Sequence, residues 1–372
     1  MSPFVRTTEA PLLPPPENSA GLRGWLRRNL FSTLFNSLLT IVLTALLTYI
    51  AWSVLDWALI RAVWTGVDRE ACAVAGAGAC WPFAWAKAPQ WLFGFYPIAE
   101  RWRPVLTFLI GAGALIPMLM PRAPCKLWNA LFLIVAYPAL ALILLRGGVF
   151  GLAAVDTADW GGLLVTLVVS ITGMAASLPL GVLLALGRQS KMPVVRTLSI
   201  AFIELWRGVP LITVLFMASV MLPLFFPDGT VLDKLLRALI GMSLFAAAYM
   251  AEAVRGGLQA IPRGQHEAAM ALGFGWWQAM GLVILPQALK ISIPNIVGNF
   301  IGLFKDTTLV LIIGIYDFLG IVNTSTQDAK WAAPETANTG YFVAAVVFWA
   351  FCFAMSRYAM FTERRLETGY RR

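Results

Sequence analysis

The sequence predicts an all-α integral membrane protein with about eight transmembrane helices. Of its 372 residues, 59% are hydrophobic and 13% are charged, whereas a soluble domain carries about 25% charged residues. The apolar residues form long runs, of which residues 30–52 and 161–187 are clear examples. A helix of about 20 apolar residues spans the hydrocarbon core of a bilayer, so each of these runs is long enough to cross a membrane.

The basic residues between the apolar segments predict the orientation of the spans. Positively charged residues accumulate at the cytoplasmic ends of spans, and five basic clusters fall at alternate ends of these segments. This pattern predicts an even number of spans, with both termini in the cytoplasm. It also accounts for the formal net charge of +9 without nucleic acid as a partner. The predicted spans lie near residues 31–58, 104–120, 128–145, 160–187, 195–223, 235–254, 292–320 and 340–361.

The composition divides the chain into two membrane units between two tails. The second unit is denser in glycine, proline and isolated charges than the first. The first contains a long segment near residues 59–103 on the non-cytoplasmic side. This segment is rich in tryptophan, which prefers the membrane interface, so we expect it to lie along the outer membrane–water boundary. The predicted division is a cytoplasmic tail at 1–29, a unit of about three spans at 30–150, a core of five spans at 158–362 and a cytoplasmic tail at 363–372.

Two cysteines in this outer segment could form a disulfide. Cys72 and Cys80 lie in DREACAVAGAGACW, on the side where an oxidising compartment permits such a bond. A local disulfide and two free thiols are both consistent with the sequence. Four cysteines in all are too few for a fold held together by disulfides.

Several classes of active site have no counterpart in the sequence. No phosphate-binding loop of the form G-x-x-x-x-G-K-[ST] occurs, so direct ATP binding by that route is not expected. The one histidine is His266, and no Cys or His residues have the spacing of metal ligands. No G-x-S-x-G elbow occurs. We therefore expect no catalytic residue, no metal and no directly bound cofactor, which favours transport or scaffolding over an intramembrane enzyme.

The segment IPRGQHEAAMALGFGWW, between the sixth and seventh predicted spans, predicts a short exposed helix. Pro262 suits the first turn of a helix, and Gly273 suits its C-terminal end. Ala268 and Ala269 have small side chains that would let another protein approach closely. Glu267 offers a carboxylate for a charge-assisted contact. These features predict a docking helix of about three turns.

The same segment resembles the loop motif of permease subunits of binding-protein-dependent ABC importers. That motif reads E-A-A, three residues, G, nine residues, I-x-L-P, and this chain has Glu267-Ala268-Ala269, Gly273 and Val283-Ile284-Leu285-Pro286. In that family the helix is the coupling helix, which docks in a cleft of the ATPase subunit. The resemblance implies that the helix at 262–275 does the same, with these residues in the coupling motif: Gly264, Glu267, Ala268, Ala269, Gly273 and Pro286.

The resemblance extends across residues 158–362. The stretches ELWRGVPLITVLF and AAYMAEAVRGGLQAIPRGQ are similar to the polar amino-acid branch, the histidine-permease type, and nearly the whole chain resembles the M-type permease of general L-amino acid importers. This implies a type I ABC importer permease core in a bacterial inner membrane, with a periplasmic outer segment. It also implies a paralogous permease that completes a heterodimer, an ABC ATPase dimer that uses ATP and Mg, a periplasmic amino-acid-binding protein, and L-amino acid substrates.

Ionisable residues inside the spans are candidate functional groups, because each costs about 2.5–3.5 kcal/mol on insertion scales. Glu204 and Arg207 are three residues apart and could form an ion pair that fixes a bent span near the cytoplasmic gate. Glu252 could receive the ammonium group of a substrate, with Tyr249 on the same helix face. A structural or interface role is the alternative for Glu252.

A second polar interruption, LFKDTTLVLI, lies in the seventh predicted span. Charged and hydroxyl groups there must face a cavity or another subunit, since lipid would leave them unsatisfied. An amino-acid zwitterion needs both signs of charge and hydrogen-bond partners, which this tetrad supplies. A lock between subunits is the alternative role. The candidate substrate-pathway residues in this span are Lys305, Asp306, Thr307 and Thr308.

The pattern as a whole favours a transport subunit over its alternatives. It predicts one half of the pore of an ATP-driven importer that moves L-amino acids from periplasm to cytoplasm by alternating access. An ion-coupled secondary transporter of small polar solutes could use the same intramembrane charges. That alternative leaves the exposed helix around Glu267 without a role.

Overall fold

A computed structural model of the chain describes residues 21–120, 125–227 and 232–366. Within these ranges the chain is predominantly helical, and extended pairing is limited to isolated β-bridges. The predicted all-α class is therefore confirmed. Residues 1–20 of the predicted N-terminal tail and residues 367–372 of the predicted C-terminal tail lie outside the described residues.

The α-helices divide the described chain into long spans and short connecting helices. Irregular helical turns extend several of them: α2 continues to Ile60, α13 runs into α14 through Ala279–Ile284, and Thr307–Ile313 follows α14. In chain order the α-helices are α1 Gly21–Asn29, α2 Leu34–Leu55, α3 Arg69–Cys72, α4 Trp81–Phe93, α5 Trp102–Leu119, α6 Lys126–Leu131, α7 Tyr137–Arg146, α8 Gly162–Arg188, α9 Pro193–Gly208, α10 Leu211–Val220, α11 Lys234–Gln259, α12 Arg263–Ala271, α13 Trp276–Gln278, α14 Leu285–Asp306, α15 Phe318–Thr326 and α16 Pro334–Leu366.

Seven helical stretches of the described chain are long and apolar enough to cross a membrane, and a bent pair provides an eighth. The pair is α9 and α10, which meet at 106°. Between them lie Val209 and Pro210, and proline has no N–H group with which to continue a helix. The predicted number of about eight spans is confirmed when this broken helix counts as one.

The seventh span begins earlier in the chain than its predicted start at residue 292. One helical stretch runs from Trp276 to Ile313. Lys290, a basic residue that the predicted bounds place in the connection before this span, lies within α14. Pro286 lies in the first turn of α14, directly after the irregular helical turns of Ala279–Ile284.

α11 is the central helix of the core and packs most extensively against α8. Ala247, Ala248 and Ala251 on α11 are fully buried. A Cβ atom on Gly181 of α8 would lie 2.6 Å from Cβ of Met250, so the two helices are in contact where a side chain would not fit. Small residues at helix interfaces let backbones approach closely in membrane proteins.

The segment between α2 and α5 packs on one end of the core. We call the part from residue 61 to residue 96 the cap. Cys72 and Cys80 in the cap are joined by a disulfide, and the N–H group of Cys80 donates a hydrogen bond of 2.8 Å to Oγ1 of Thr339 on α16. Trp91 of α4 is buried, and its Nε1 donates to Oγ of Ser325 on α15, also at 2.8 Å. The cap therefore fixes the positions of α15 and α16.

The aromatic residues of this segment differ in how far they are buried within the protein. Trp85 is 69% exposed, whereas Phe83 and Trp91 are at most 3% exposed. These two belong to an apolar cluster with Phe318 and Trp331. The difference arises because α4 packs against α8, α15 and α16, which the sequence alone could not show.

The two ends of the core carry different structures. α8 begins beside the cap, where the carbonyl oxygen of Trp91 would lie 2.1 Å from a Cβ atom on Gly162. It ends at Arg188, beside the C-terminal half of α11, which leads into α12. We refer to these ends of the core as the cap side and the α12 side.

Candidate functional site

α12 is a nine-residue helix that leaves the core on the α12 side. It is slightly shorter than the predicted three turns. Its end is a Schellman motif, in which the N–H group of Gly273 donates to Met270 O (2.9 Å) and that of Phe274 donates to Ala269 O (3.1 Å). Gly273 has φ +80°, a conformation that glycine adopts without the steric cost of a side chain. The sequence thus determines where α12 ends.

The motif residues on α12 present mainly small and polar surface to the outside. Glu267 and Ala268 are exposed, as is His266, whereas Ala269 is 2% exposed and faces the core. A Cβ atom on Gly264 would meet no atom of the described residues within 4 Å, so no contact among them requires glycine there. Exposed apolar side chains extend this surface from the last turn of the helix onward: Met270, Leu272, Trp276 and Trp277.

The far end of the motif lies close to α12 although it belongs to another helix. Pro286 is exposed in the first turn of α14. The next residue, Gln287, donates through Nε2 to Oε1 of Gln265 on α12, at 3.1 Å. The structure therefore brings both ends of the motif together on the α12 side.

Five charged side chains from three helices meet near the end of α11, and we call them the Glu252 cluster. Oε1 of Glu252 lies 3.0 Å from Nη1 of Arg188 on α8, and Oε2 lies 2.7 Å from Nη2 of Arg255. The same Nη1 of Arg188 lies 3.0 Å from Oε1 of Glu204 on α9. Nη1 of Arg207 approaches Oε2 of Glu252 to 3.6 Å. The cluster joins α8, α9 and α11.

The pairing inside this cluster differs from the prediction of a Glu204–Arg207 pair. In the described chain, Glu204 pairs with Arg188 and Arg207 approaches Glu252. The prediction considered neighbours on one helix, but the side chains of α9 reach across to α8 and α11. Because guanidinium groups already surround Glu252, its carboxylate is compensated by the protein, and the arrangement does not favour it as a site for a substrate ammonium group.

A cavity of about 280 Å³ lies between α8, α11 and α14. Its polar lining consists of Ser177, Tyr249, Asn299 and Asp306. Gly302 also lines it, and a Cβ atom there would meet nothing within 4 Å. Absence of a side chain at this position thus leaves room in the cavity.

The predicted polar tetrad of the seventh span separates in the structure. Asp306 lines the cavity. Thr307 is fully buried and donates to Phe304 O at 2.8 Å, and Thr308 donates to Lys305 O at 2.9 Å. Lys305 is exposed. Of the four, only Asp306 lines this cavity.

Asn299 was not among the residues predicted to line the substrate pathway, although its spacing from Asp306 could have indicated it. It lies seven residues before Asp306, so the two share a face of α14 after about two helical turns. Gly298 and Gly302 precede Asp306 at intervals of four and complete this small, polar face. Tyr249, from α11, connects the cavity with the Glu252 cluster, because the guanidinium carbon of Arg207 lies 5.8 Å from its ring centroid.

The described residues contain no group of three or more His, Cys, Asp or Glu side chains placed to hold a metal ion. The cavity and the Glu252 cluster bring together charged groups, hydroxyl groups and an amide. Their groups can form ion pairs and hydrogen bonds with a polar solute.

Comparison with known proteins identifies the family. Residues 177–368 match the model of the binding-protein-dependent transport system inner membrane component. The chain is 50% identical over 359 residues to the inner membrane amino-acid ABC transporter permease protein YhdY of Escherichia coli K12, covering 96% of this chain and 97% of that protein. It is 40% identical over 436 residues to the glutamate/glutamine/aspartate/asparagine transport system permease protein BztC of Rhodobacter capsulatus, covering 99% of both.

Among solved structures, the crystal structure of an amino acid ABC transporter with histidines is 27% identical, with a TM-score of 0.48, and the match covers 55% of this chain and 92% of that one. The family match covers more than half of this chain, and two relatives align along nearly its full length. The chain therefore belongs to the family of binding-protein-dependent transport system inner membrane components, as an ABC-type permease that crosses the inner membrane several times.

Proposed function

We propose that this chain is the permease subunit of an ATP-driven importer that moves L-amino acids from the periplasm to the cytoplasm by alternating access. The observation that carries the proposal is α12, a short helix with exposed Glu267 and Ala268, terminated by Gly273. A surface of small side chains around one carboxylate fits a cleft in another protein. The amino-acid transporters among its relatives support the class of substrate.

The partners follow from this role. An ABC ATPase dimer, which binds ATP and Mg, would receive the helix at 262–275. The α12 side and both termini would then be cytoplasmic, and the cap would face the periplasm and the amino-acid-binding protein. A paralogous permease would complete the pore as a heterodimer, against the exposed part of α14 around Asn295 and Gly298.

The cavity between α8, α11 and α14 is the proposed substrate site of this subunit. Its volume of about 280 Å³ is just below the range of about 300–1,000 Å³ that is usual for small-molecule sites, which suits a small solute. The carboxylate of Asp306 would receive the substrate ammonium group, and Asn299 and Ser177 would supply hydrogen bonds. An ionisable group within a span is expected to face such a cavity.

Disruption of the α12 surface tests the proposed coupling. The complete transporter, reconstituted in proteoliposomes, is compared in its wild-type form and with Glu267→Arg or Gly273→Glu. We expect both variants to lose the ATPase on purification and to lower ATP-driven uptake of a radiolabelled L-amino acid mixture by about tenfold or more, the equivalent of 1.4 kcal/mol.

Glu70→Arg is the matched control for these variants, since Glu70 is an exposed glutamate on the cap side. It should retain the ATPase on purification, because the cap and α12 lie at opposite ends of the core. Full assembly and uptake with Glu267→Arg and Gly273→Glu would contradict the proposed coupling. Uptake driven by an ion gradient in the absence of ATP would instead support an ion-coupled secondary transporter.

A further inference from the structure

Arg207 differs from the two other arginines of the Glu252 cluster in the bonds that it makes. Nη1 of Arg188 lies 3.0 Å from both glutamates of the cluster. Arg255 donates to Glu252 at 2.7 and 3.0 Å and to Gln259 at 2.8 Å. Within the described ranges Arg207 has only its 3.6 Å approach to Glu252 and its contact with the Tyr249 ring.

The charges of the cluster leave one positive charge in excess. Three arginines face two glutamates, and both oxygens of Glu252 already accept hydrogen bonds from Arg188 and Arg255. The N–H donors of Arg207 are therefore still available, and a guanidinium group presents five of them in a planar arrangement. An additional carboxylate would satisfy these donors.

The position of Arg207 places these donors next to the cavity. The residue lies in the last turn of α9, directly before the break that separates α9 from α10. Its side chain is 36% exposed, and its guanidinium carbon lies 5.8 Å from the ring centroid of Tyr249. Tyr249 also lines the cavity that contains Asp306. Tyr249 therefore links two charged groups: Asp306, which lines the same cavity, and Arg207, which contacts the Tyr249 ring.

We propose that Arg207 binds the α-carboxylate of the transported amino acid as the substrate leaves the cavity toward the α12 side. The inference rests on the proposed function and extends it to a specificity-determining residue. Arginine suits this task because its planar group binds a carboxylate through two parallel hydrogen bonds. With Asp306 at the ammonium group, the site recognises both charges that every amino-acid zwitterion carries.

The test measures how many amino-acid molecules are transported for each ATP hydrolysed. Complete transporter in proteoliposomes takes up a radiolabelled mixture of L-amino acids, while binding-protein-stimulated ATP hydrolysis is measured in parallel. Arg207→Gln is compared with Arg207→Lys, which keeps the positive charge, and with Arg357→Gln, an exposed arginine of α16 that lies outside the cap, the cavity and the Glu252 cluster. Arg207→Gln removes the proposed partner of the substrate carboxylate. We therefore expect the number of amino-acid molecules transported per ATP to fall about tenfold in this variant.

Hydrolysis and assembly should remain near the wild-type level in Arg207→Gln, and the ratio of Arg207→Lys should lie between those of Arg207→Gln and wild type. An unchanged ratio in Arg207→Gln would overturn the inference. Equal losses of uptake and hydrolysis in Arg207→Gln and Arg207→Lys would also overturn it, because they indicate a structural role. Absence of ATP-driven uptake in the wild-type transporter would contradict the proposed function itself.

Discussion

Arg188 and Glu252 join the end of α8 to the C-terminal half of α11, with 3.0 Å between Nη1 and Oε1. Their side chains are 25% and 16% exposed. Arg188 pairs with Glu204 through the same nitrogen atom, but the side chain of Glu204 is 56% exposed. The two carboxylates therefore differ in how far water screens them, which makes them a natural comparison.

Removal of the Glu252 carboxylate should destabilise the protein more than removal of that of Glu204. Glu252→Gln leaves partly buried guanidinium groups without their counter-ion, which costs about 1–3 kcal/mol. Glu204→Gln removes an exposed pair and should cost at most about 1 kcal/mol. Thermal unfolding of the detergent-solubilised chain, followed by tryptophan fluorescence, gives the two values. Equal losses of stability in the two variants would mean that water screens Glu252 as much as it screens Glu204.

Side-chain volume at Gly302 should control access to the cavity. Gly302→Val places methyl groups where no atom lies within 4 Å of the Cβ position, so we expect folding to be retained and substrate to be excluded. Overpacking of a binding site by this amount costs about 1–3 kcal/mol, and uptake should fall by about tenfold or more.

Gly113→Val is the control for that variant, because Gly113 on α5 is equally open and does not line the cavity. Its uptake should equal that of wild type. Normal uptake with Gly302→Val would exclude this cavity as the substrate site.

Asp317 should stabilise the start of α15 through its hydrogen bonds. Its carboxylate accepts from the N–H groups of Gly320 (2.9 Å) and Leu319 (3.2 Å). Asp317→Ala removes this N-cap and should cost about 0.5–2 kcal/mol. Asp317→Asn keeps an acceptor oxygen and should retain most of the stability. A similar loss in both variants, measured by thermal unfolding, would show that the charge rather than the cap is required.

The stability difference between Asp317→Asn and wild type should depend on pH. Burial raises the pKa of Asp317 from 3.8 to about 6, so the folded protein disfavours the ionised form. Wild-type stability should therefore fall relative to the variant as pH rises from about 4 to about 6, and the difference should be constant above that range. A pH-independent difference between the two unfolding curves would contradict the raised pKa.

The disulfide of the cap should stabilise this segment against proteolysis. Cys72 and Cys80 close a short loop, for which chain entropy gives about 2–3 kcal/mol. In Cys72→Ala/Cys80→Ala we expect faster cleavage between residues 61 and 96, measured by limited proteolysis and mass spectrometry. The free cysteine Cys352 on α16 provides the control as Cys352→Ala, which should be cleaved at the wild-type rate.

Local signals made the fold class and α12 predictable. Apolar runs determine spans directly, since the bilayer sets their length, and Gly273 ends α12 through its own backbone conformation. The relative positions of distant segments were not predictable. Arg188 is 64 residues from Glu252, and no pattern along either helix indicates that the two meet.

The burial of the aromatic residues in the cap was also not predictable from the sequence. Trp85 and Trp91 are both tryptophans of α4, yet one is exposed and the other buried. The difference depends on contacts with α15 and α16, which follow more than 200 residues later in the chain. Composition indicated an interfacial segment, whereas tertiary packing decided which of its side chains are buried.

α14 connects the surface around α12 to the cavity in a single helix. Gln287 contacts α12 near one end of α14, and Asp306 lies in the cavity at its other end. Nineteen helical residues separate them, a distance of about 28 Å, so a tilt of about 5° at Gln287 displaces Asp306 by about 2.5 Å. In the proposed function α14 would therefore act as a lever, since a small rotation imposed at α12 would move the Asp306 carboxylate by nearly the length of a hydrogen bond.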